Sequence, residues 1–159
     1  MPGCQAESAG NTNTTDLNDE PGLLKKFLSL KSQPVFHKLP VTILTEVAER
    51  EKRLKVKKGH TLFIKSERSS RLYLVIEGRF NVESNNKLVQ TVGKNQIFGE
   101  LSALDSRKRE ASARASCDSV VLEINQRTLT DLMWNRYDLI EGFLQILIFR
   151  LRQINRIER

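Results

Sequence analysis

The sequence predicts a mainly β domain, an eight-stranded barrel or jelly roll with helices at both ends. Three observations carry this expectation. Apolar residues recur at helical spacing before Arg53, alternate with polar ones from Arg53 to Ile124, and return to helical spacing from there onward. The 159 residues, 39% hydrophobic and 28% charged, suit one domain whose core closes without disulfides or a structural metal.

Residues 1–20 hold hardly an apolar side chain and are predicted to be a disordered tail, because such a segment cannot offset the entropy of ordering itself. The domain is expected over 21–159, with lead-in helices at 21–50, a barrel at 53–124 and C-terminal helices at 127–159. After Pro21, the residues Leu23, Leu24, Phe27, Leu28 and Leu30 recur at helical spacing with Lys25 and Lys26 opposite, and this helix ends before Pro34. Pro40 is pre-set for the start of a second helix, Val41 to Arg50. There Ile43, Leu44, Val47 and Ala48 share a face, and Thr42 or Thr45 can cap.

Eight strands follow: Arg53 to Val56, His60 to Ile64, Arg71 to Glu77, Arg79 to Glu83, Lys87 to Val92, Gln96 to Phe98, Ala111 to Cys117 and Val120 to Ile124. Asn85-Asn86 tolerates positive φ and reads as a hairpin turn, and Gly59, Gly78 and Gly93 mark other corners. Leu129, Leu132 and Met133 form a short helix, and Tyr137 to Ile157 a longer one. In the latter, Ile140, Leu144, Leu147, Leu151 and Ile154 make an a/d seam, which Leu139, Phe143, Ile146 and Ile148 widen. Such a helix covers either its own barrel alone through one wide face, or the barrel and something else, such as a second copy.

An excess of 26 Lys and Arg over 19 Asp and Glu gives a formal charge of +7, which attracts anions in general and names no partner. The basic residues are spread without aromatic interleaving, so nucleic acid is not expected as a partner of this segment. No run approaches the roughly 18 apolar residues of a membrane span. The first twenty residues lack both an apolar core and any Lys or Arg, and Cys4 and Cys117 form no C-x-x-C pair, so a cytoplasmic, reducing location is expected.

Catalysis is not expected either. His37 and His60 are too few for a metal centre inside a barrel, and two distant cysteines cannot hold an iron–sulfur cluster. Ser112 has no nearby histidine, and G-x-S-x-G is absent. Neither a metal nor a cofactor is predicted.

The richest stretch runs from Ile97-Phe98-Gly99-Glu100-Leu101-Ser102-Ala103-Leu104 to Arg107-Lys108-Arg109-Glu110-Ala111-Ser112. A strand ends at a glycine that admits close backbone approach, and a helical turn follows whose free N–H groups form an anion cradle. Arg109, returning nine residues after Glu100, offers a guanidinium fork suited to phosphate oxygens. Glu100 is free to accept from a sugar hydroxyl or to orient Arg109.

The span from Leu23 to Arg159 resembles the cyclic-nucleotide-binding domain of catabolite-type regulators, cyclic-nucleotide-dependent kinases and gated channels. The collinear matches are Pro34-Val35-Phe36 with Leu39-Pro40, Lys58-Gly59 with Leu62-Phe63, Leu72 to Gly78, and Phe98-Gly99-Glu100. Arg109 and Ser112 follow at the family's spacing, and Arg150-Leu151-Arg152 lies in the last helix as in many bacterial members.

The resemblance implies a regulatory domain that binds cAMP or cGMP through a phosphate-binding cassette and relays binding through the C-terminal helix. Glu100 would take the ribose 2′-hydroxyl and Arg109 the cyclic phosphate. Ser112 would lie near phosphate or base, and the backbone N–H groups of Gly99, Glu100, Leu101 and Ser102 would line the pocket beside Glu110 and Ala111. Glu110 stands where the family carries a small residue or Thr, Lys108 where Pro is common, and Ser66 and Asn95 where turn glycines are common. Glu110 can accept from a guanine's N1–H and 2-amino group or simply face solvent. The competing readings are a Glu100–Arg109 pair in an empty pocket, with the domain a nucleotide-free interaction or dimerisation module, and a truncated catabolite-type transcription regulator. The sequence holds no helix-turn-helix after the long helix, which favours a module of a larger protein.

Overall fold

The structure, a computed structural model, describes residues 20–157. The predicted tail, apart from Glu20, and Cys4 lie outside the described residues. The chain runs through α1 (Glu20–Lys31), α2 (Val41–Arg50), β1 (Lys52–Val56), β2 (Thr61–Phe63), β3 (Arg71–Glu77), β4 (Arg79–Ser84), β5 (Lys87–Gly93) and β6 (Ile97–Phe98). It continues through α3 (Glu100–Asp105), β7 (Ser112–Ala115), β8 (Ser119–Asn125), α4 (Gln126–Trp134) and α5 (Tyr137–Ile157). Each of the eight expected strands is present, with ends moved by a residue or two and β7 trimmed to its central four.

The strands form two four-stranded antiparallel sheets, ordered β1-β8-β3-β6 and β2-β7-β4-β5. Strand β3 has five consecutive buried residues because both of its faces are covered. Leu72, Leu74 and Ile76 face the helices with Leu122 and Ile124 of β8, whereas Tyr73 and Val75 point between the sheets with Phe63, Phe80 and Phe98. The period-2 alternation of one strand thus feeds two cores, an aliphatic one under the helices and an aromatic one inside the sheets.

The turns follow the side chains that tolerate a left-handed backbone. Asn85 and Asn86 have φ of 53° and 60°, the pair of positive values that a tight hairpin requires. Ser66 and Asn95, at φ 73° and 63°, adopt the left-handed conformation that glycine would supply without strain. Gly93 ends β5 at the expected corner without a positive φ: Gln96 N–H donates to Gly93 O at 3.1 Å, and Asn95 supplies the left-handed residue of the turn.

Two helix details also differ from expectation. Leu24 and Leu28 are exposed, and Lys26 is not on the solvent side. The helix rolls so that Leu23, Phe27 and Leu30 meet the core, and Lys26 Nζ donates to Ala48 O at 2.9 Å and Glu51 O at 3.0 Å, closing the C-terminal end of α2. Burial, with Arg53 nearby, pushes the Lys26 pKa down. At the other end of α2, neither threonine caps. Pro40 occupies the cap position without a side-chain bond, and Thr45 Oγ1 donates back to Val41 O at 2.9 Å.

Helix α5 has two apolar faces. Leu139 and Phe143 are buried, with Phe143 edge-on to Phe36 at 6.2 Å. Gly142 permits this approach, since a Cβ there would come within 2.9 Å of Val35 Cα. Of the seam, Leu144, Leu151 and Ile154 are more than half exposed, while Ile140 and Leu147 are half-buried. A single wide face on the barrel is therefore not what forms. Among the described residues no helix is long and apolar enough to cross a membrane.

Candidate functional site

A cleft of about 350 Å³ opens where α3, the approach to β7 and α5 converge. Gly99, Glu100, Leu101 and Ser102 line it from the start of α3. Arg109, Glu110 and Ala111 line it from the approach to β7. The expected set is thus brought together with one exception. Ser112 lies on β7, does not line the cleft, and its hydroxyl accepts from the Lys65 backbone N–H at 2.9 Å.

Gly99 organises the turn. It caps α3 in the left-handed region at φ 77°, and a Cβ on it would lie 2.6 Å from Arg109 Nη1. That close approach lets Gly99 O accept from Arg109 Nη1 at 2.8 Å. Arg109 Nη2 donates to Ser69 Oγ at 2.9 Å and Arg71 O at 2.6 Å, and the guanidinium lies 4.1 Å above the Phe63 ring. Its backbone is tied as well, donating to Glu67 O and accepting from Ser66 N–H, each at 2.8 Å. Arg109 is only 2% exposed, and burial pushes its pKa down. Its Nε, also buried, has no partner.

Glu100 is 1% exposed and does not pair with Arg109. Its partner is Arg150 of α5, whose Nη1 donates to Glu100 Oε1 while Nη2 donates to Ile97 O at 2.6 Å. Burial lowers the pKa of Arg150 too. Glu100 Oε2 is buried and has no partner. The reading of a closed Glu100–Arg109 pair is thereby corrected: each side chain is held by other groups and keeps one polar atom unspent. Glu110 is exposed, and its carbonyl accepts from Ser84 Oγ at 3.2 Å.

Arg150 entered the sequence reading only as part of a tripeptide match. A sharper signal was available. Leu139, Phe143, Ile146 and Arg150 follow at spacings of four, three and four, so the arginine sits in the buried stripe of α5, where a cation needs an anion beside it. The backing of Arg109 by Phe63, Ser69 and Arg71 carried no such local signal.

A larger recess, about 530 Å³, lies beside the β2–β3 connection and is lined by Glu67, Arg68, Ser70 and Gln126 among others. Neither residue with an unpartnered buried atom lines it, so the smaller cleft is the better candidate.

A family model described as "cyclic nucleotide-binding domain" matches residues 53–136. The "CRP-like cAMP-activated global transcriptional regulator" of Mycobacterium tuberculosis is 29% identical over 103 residues, 62% of this chain and 46% of that protein. The chain thus spans less than half the length of the first curated relatives it matches. The sensor domain of the transcriptional regulator DNR from Pseudomonas aeruginosa superposes with a TM-score of 0.73 at 20% identity, over 86% of this chain and 94% of that one. A cyclic nucleotide-binding domain from Methylobacillus flagellatus gives 0.71 at 20% identity, over 82% and 79% of the two chains. These two likenesses concern the fold.

Proposed function

The chain belongs to the cyclic nucleotide-binding domain family, and on that premise we propose that its cleft binds cAMP or cGMP and that the domain is a cytoplasmic regulatory module of a larger protein. One observation carries the reading. Among the described residues, the buried side-chain atoms without a hydrogen-bond partner are Glu100 Oε2 and Arg109 Nε, one acceptor and one donor on two residues that line the same cleft. Unpaired buried polar atoms are costly, which makes a ligand that satisfies both a natural complement.

A cyclic nucleotide has the matching groups. Its 2′-hydroxyl is the free sugar donor and would donate a hydrogen bond to Glu100 Oε2. Its phosphate diester carries one negative charge on two exocyclic oxygens, one of which would accept from Arg109 Nε, with the N–H groups from Gly99 to Ser102 alongside. Because the fork of Arg109 is already anchored, little ordering is left for binding to accomplish. Ala111 would border the phosphate, and Glu110 would face the base, where its carboxylate suits a guanine's N1–H and 2-amino group. The role is recognition, and no catalytic step is part of it.

Calorimetric titration with cAMP and with cGMP tests this. Saturable binding of one or both is expected, and Arg109→Ala should weaken it by about ten- to a hundredfold, corresponding to roughly 1.5–3 kcal/mol for a charge-assisted contact. Absence of heat with either nucleotide would refute the reading.

A second role is favoured by the seam of α5. With Leu144, Leu151 and Ile154 exposed at heptad spacing, the helix is suited to pair with a second copy. Sedimentation velocity should show concentration-dependent dimerisation that Leu151→Glu abolishes; a monomer at all concentrations would exclude it.

A further inference from the structure

We propose that the larger recess beside the β2–β3 connection is a second ligand site, for a phosphate group, free or carried on a small molecule, and that it acts on the cleft through Ser69. The site stands on its own geometry, and its effect on the cleft rests on the cyclic nucleotide reading above.

At about 530 Å³ the recess is of a size that holds a small organic molecule. Its polar lining is rich in donors that no described group uses. The Arg68 guanidinium has no partner among the described residues. The Ser106 hydroxyl accepts from Gln126 Nε2 at 2.7 Å, and the Ser69 hydroxyl accepts from Arg109 Nη2 at 2.9 Å. Neither hydroxyl gives its own proton to a described residue, and a hydroxyl that accepts one bond still has that proton to donate. Ser70 adds a third hydroxyl. Against these stands one carboxylate in the described lining, Glu67, whose Oε2 accepts from the Ile64 N–H at 3.1 Å. Arg71 also lines the recess, with its charge committed to Glu123 at 2.9 Å. A free guanidinium among unspent hydroxyls is a donor set for an oxyanion, and the several oxygens of a phosphate can use it at once.

The recess lies behind the seat of Arg109. Two of the three acceptors on that fork, Ser69 Oγ and Arg71 O, belong to residues lining the recess, and Phe63, under the guanidinium, lines both recess and cleft. A phosphate accepting from Ser69 would complete a chain from Arg109 through the hydroxyl to the anion, every bond pointing the same way. Bonds in such a chain strengthen one another. An occupied recess therefore holds the Arg109 fork more firmly, and by linkage phosphate and nucleotide each raise the other's affinity.

Amide chemical-shift mapping of the whole chain tests the site, with glycerol 3-phosphate and inorganic phosphate as probes and chloride at matched ionic strength as the control. Saturable shifts are expected at residues 67–71, 106 and 126. Arg68→Ala, at an exposed position, should weaken binding by about tenfold. Tighter binding of the ester assigns an organic phosphate, and tighter binding of inorganic phosphate assigns the free ion. Calorimetry at saturating phosphate should then show cyclic nucleotide binding strengthened by about fivefold, a gain that Ser69→Ala should remove. Shifts that chloride reproduces, that are confined to 99–102 and 110–111, or that survive Arg68→Ala unchanged overturn the site. Unchanged nucleotide affinity at saturating phosphate overturns the coupling. If neither nucleotide gives heat, the cyclic nucleotide reading falls, and the recess stands or falls on its own shifts.

Discussion

The two residues that line the cleft with unpartnered atoms sit in walls of different construction. Arg109 belongs to the barrel wall: neutral acceptors on β3, its preceding loop and the α3 cap hold its fork, and Phe63 supports it from below. Glu100 belongs to the helix wall: its fixed oxygen is held by a single guanidinium on α5, a helix that packs through Leu139 and Phe143 and leaves its outer seam uncovered. Three hydrogen bonds and a ring contact hold Arg109 in the first wall, while the fixed oxygen of Glu100 in the second depends on one ion pair to α5. The difference is one of anchoring: the donor is held at several points within the barrel, whereas the acceptor is tied to a separate element, α5.

Experiments can break that contrast from the barrel side. The largest effect is the loss of binding in Arg109→Ala described above. Next comes Gly99→Ala. Its Cβ would meet Arg109 Nη1 at 2.6 Å and would hold a left-handed φ of 77°, so the guanidinium must leave its seat. A loss of about 1–3 kcal/mol in urea unfolding is expected, together with weaker nucleotide binding. Unchanged stability and affinity would mean that the barrel wall yields as easily as the helix wall.

The smallest effect concerns pH. Burial, and then the negative charge of Glu123, raises the Tyr73 pKa above its ordinary 10.0, with Arg109 opposing. A raised folded-state pKa means that stability from this group is complete below about pH 10 and is lost as pH climbs through the folded value. The urea midpoint of wild type should fall as pH rises above about 10, and Tyr73→Phe should flatten that part of the fall. An unchanged slope in Tyr73→Phe would show that the aromatic floor under Arg109 is looser than its packing indicates.

Much of the fold was legible because it is written in local patterns. The limits of α2 and α5, the number of strands and the Asn85-Asn86 turn all follow from periodicity and backbone tolerance over a few residues. The stretch from Gly99 to Ala111 was legible for the same reason: a turn glycine, a carboxylate and an arginine at close spacing. Ser112 was assigned to the cleft because sequence spacing does not reveal that β7 turns its hydroxyl to Lys65. The α1 faces were misread because helical spacing alone did not anticipate Lys26 reaching the end of α2.

By itself the sequence determined where the chain turns, which segments alternate and which charged residues come to line the cleft, since these depend on neighbours a few positions apart. Only the tertiary structure decided what each charged group is paired with. Glu100 meets Arg150 across fifty residues, Arg109 meets Ser69 across forty, and neither meets the other. Such pairings arise when distant segments are packed together and each buried charge takes the nearest group able to satisfy it, a choice that no local pattern encodes.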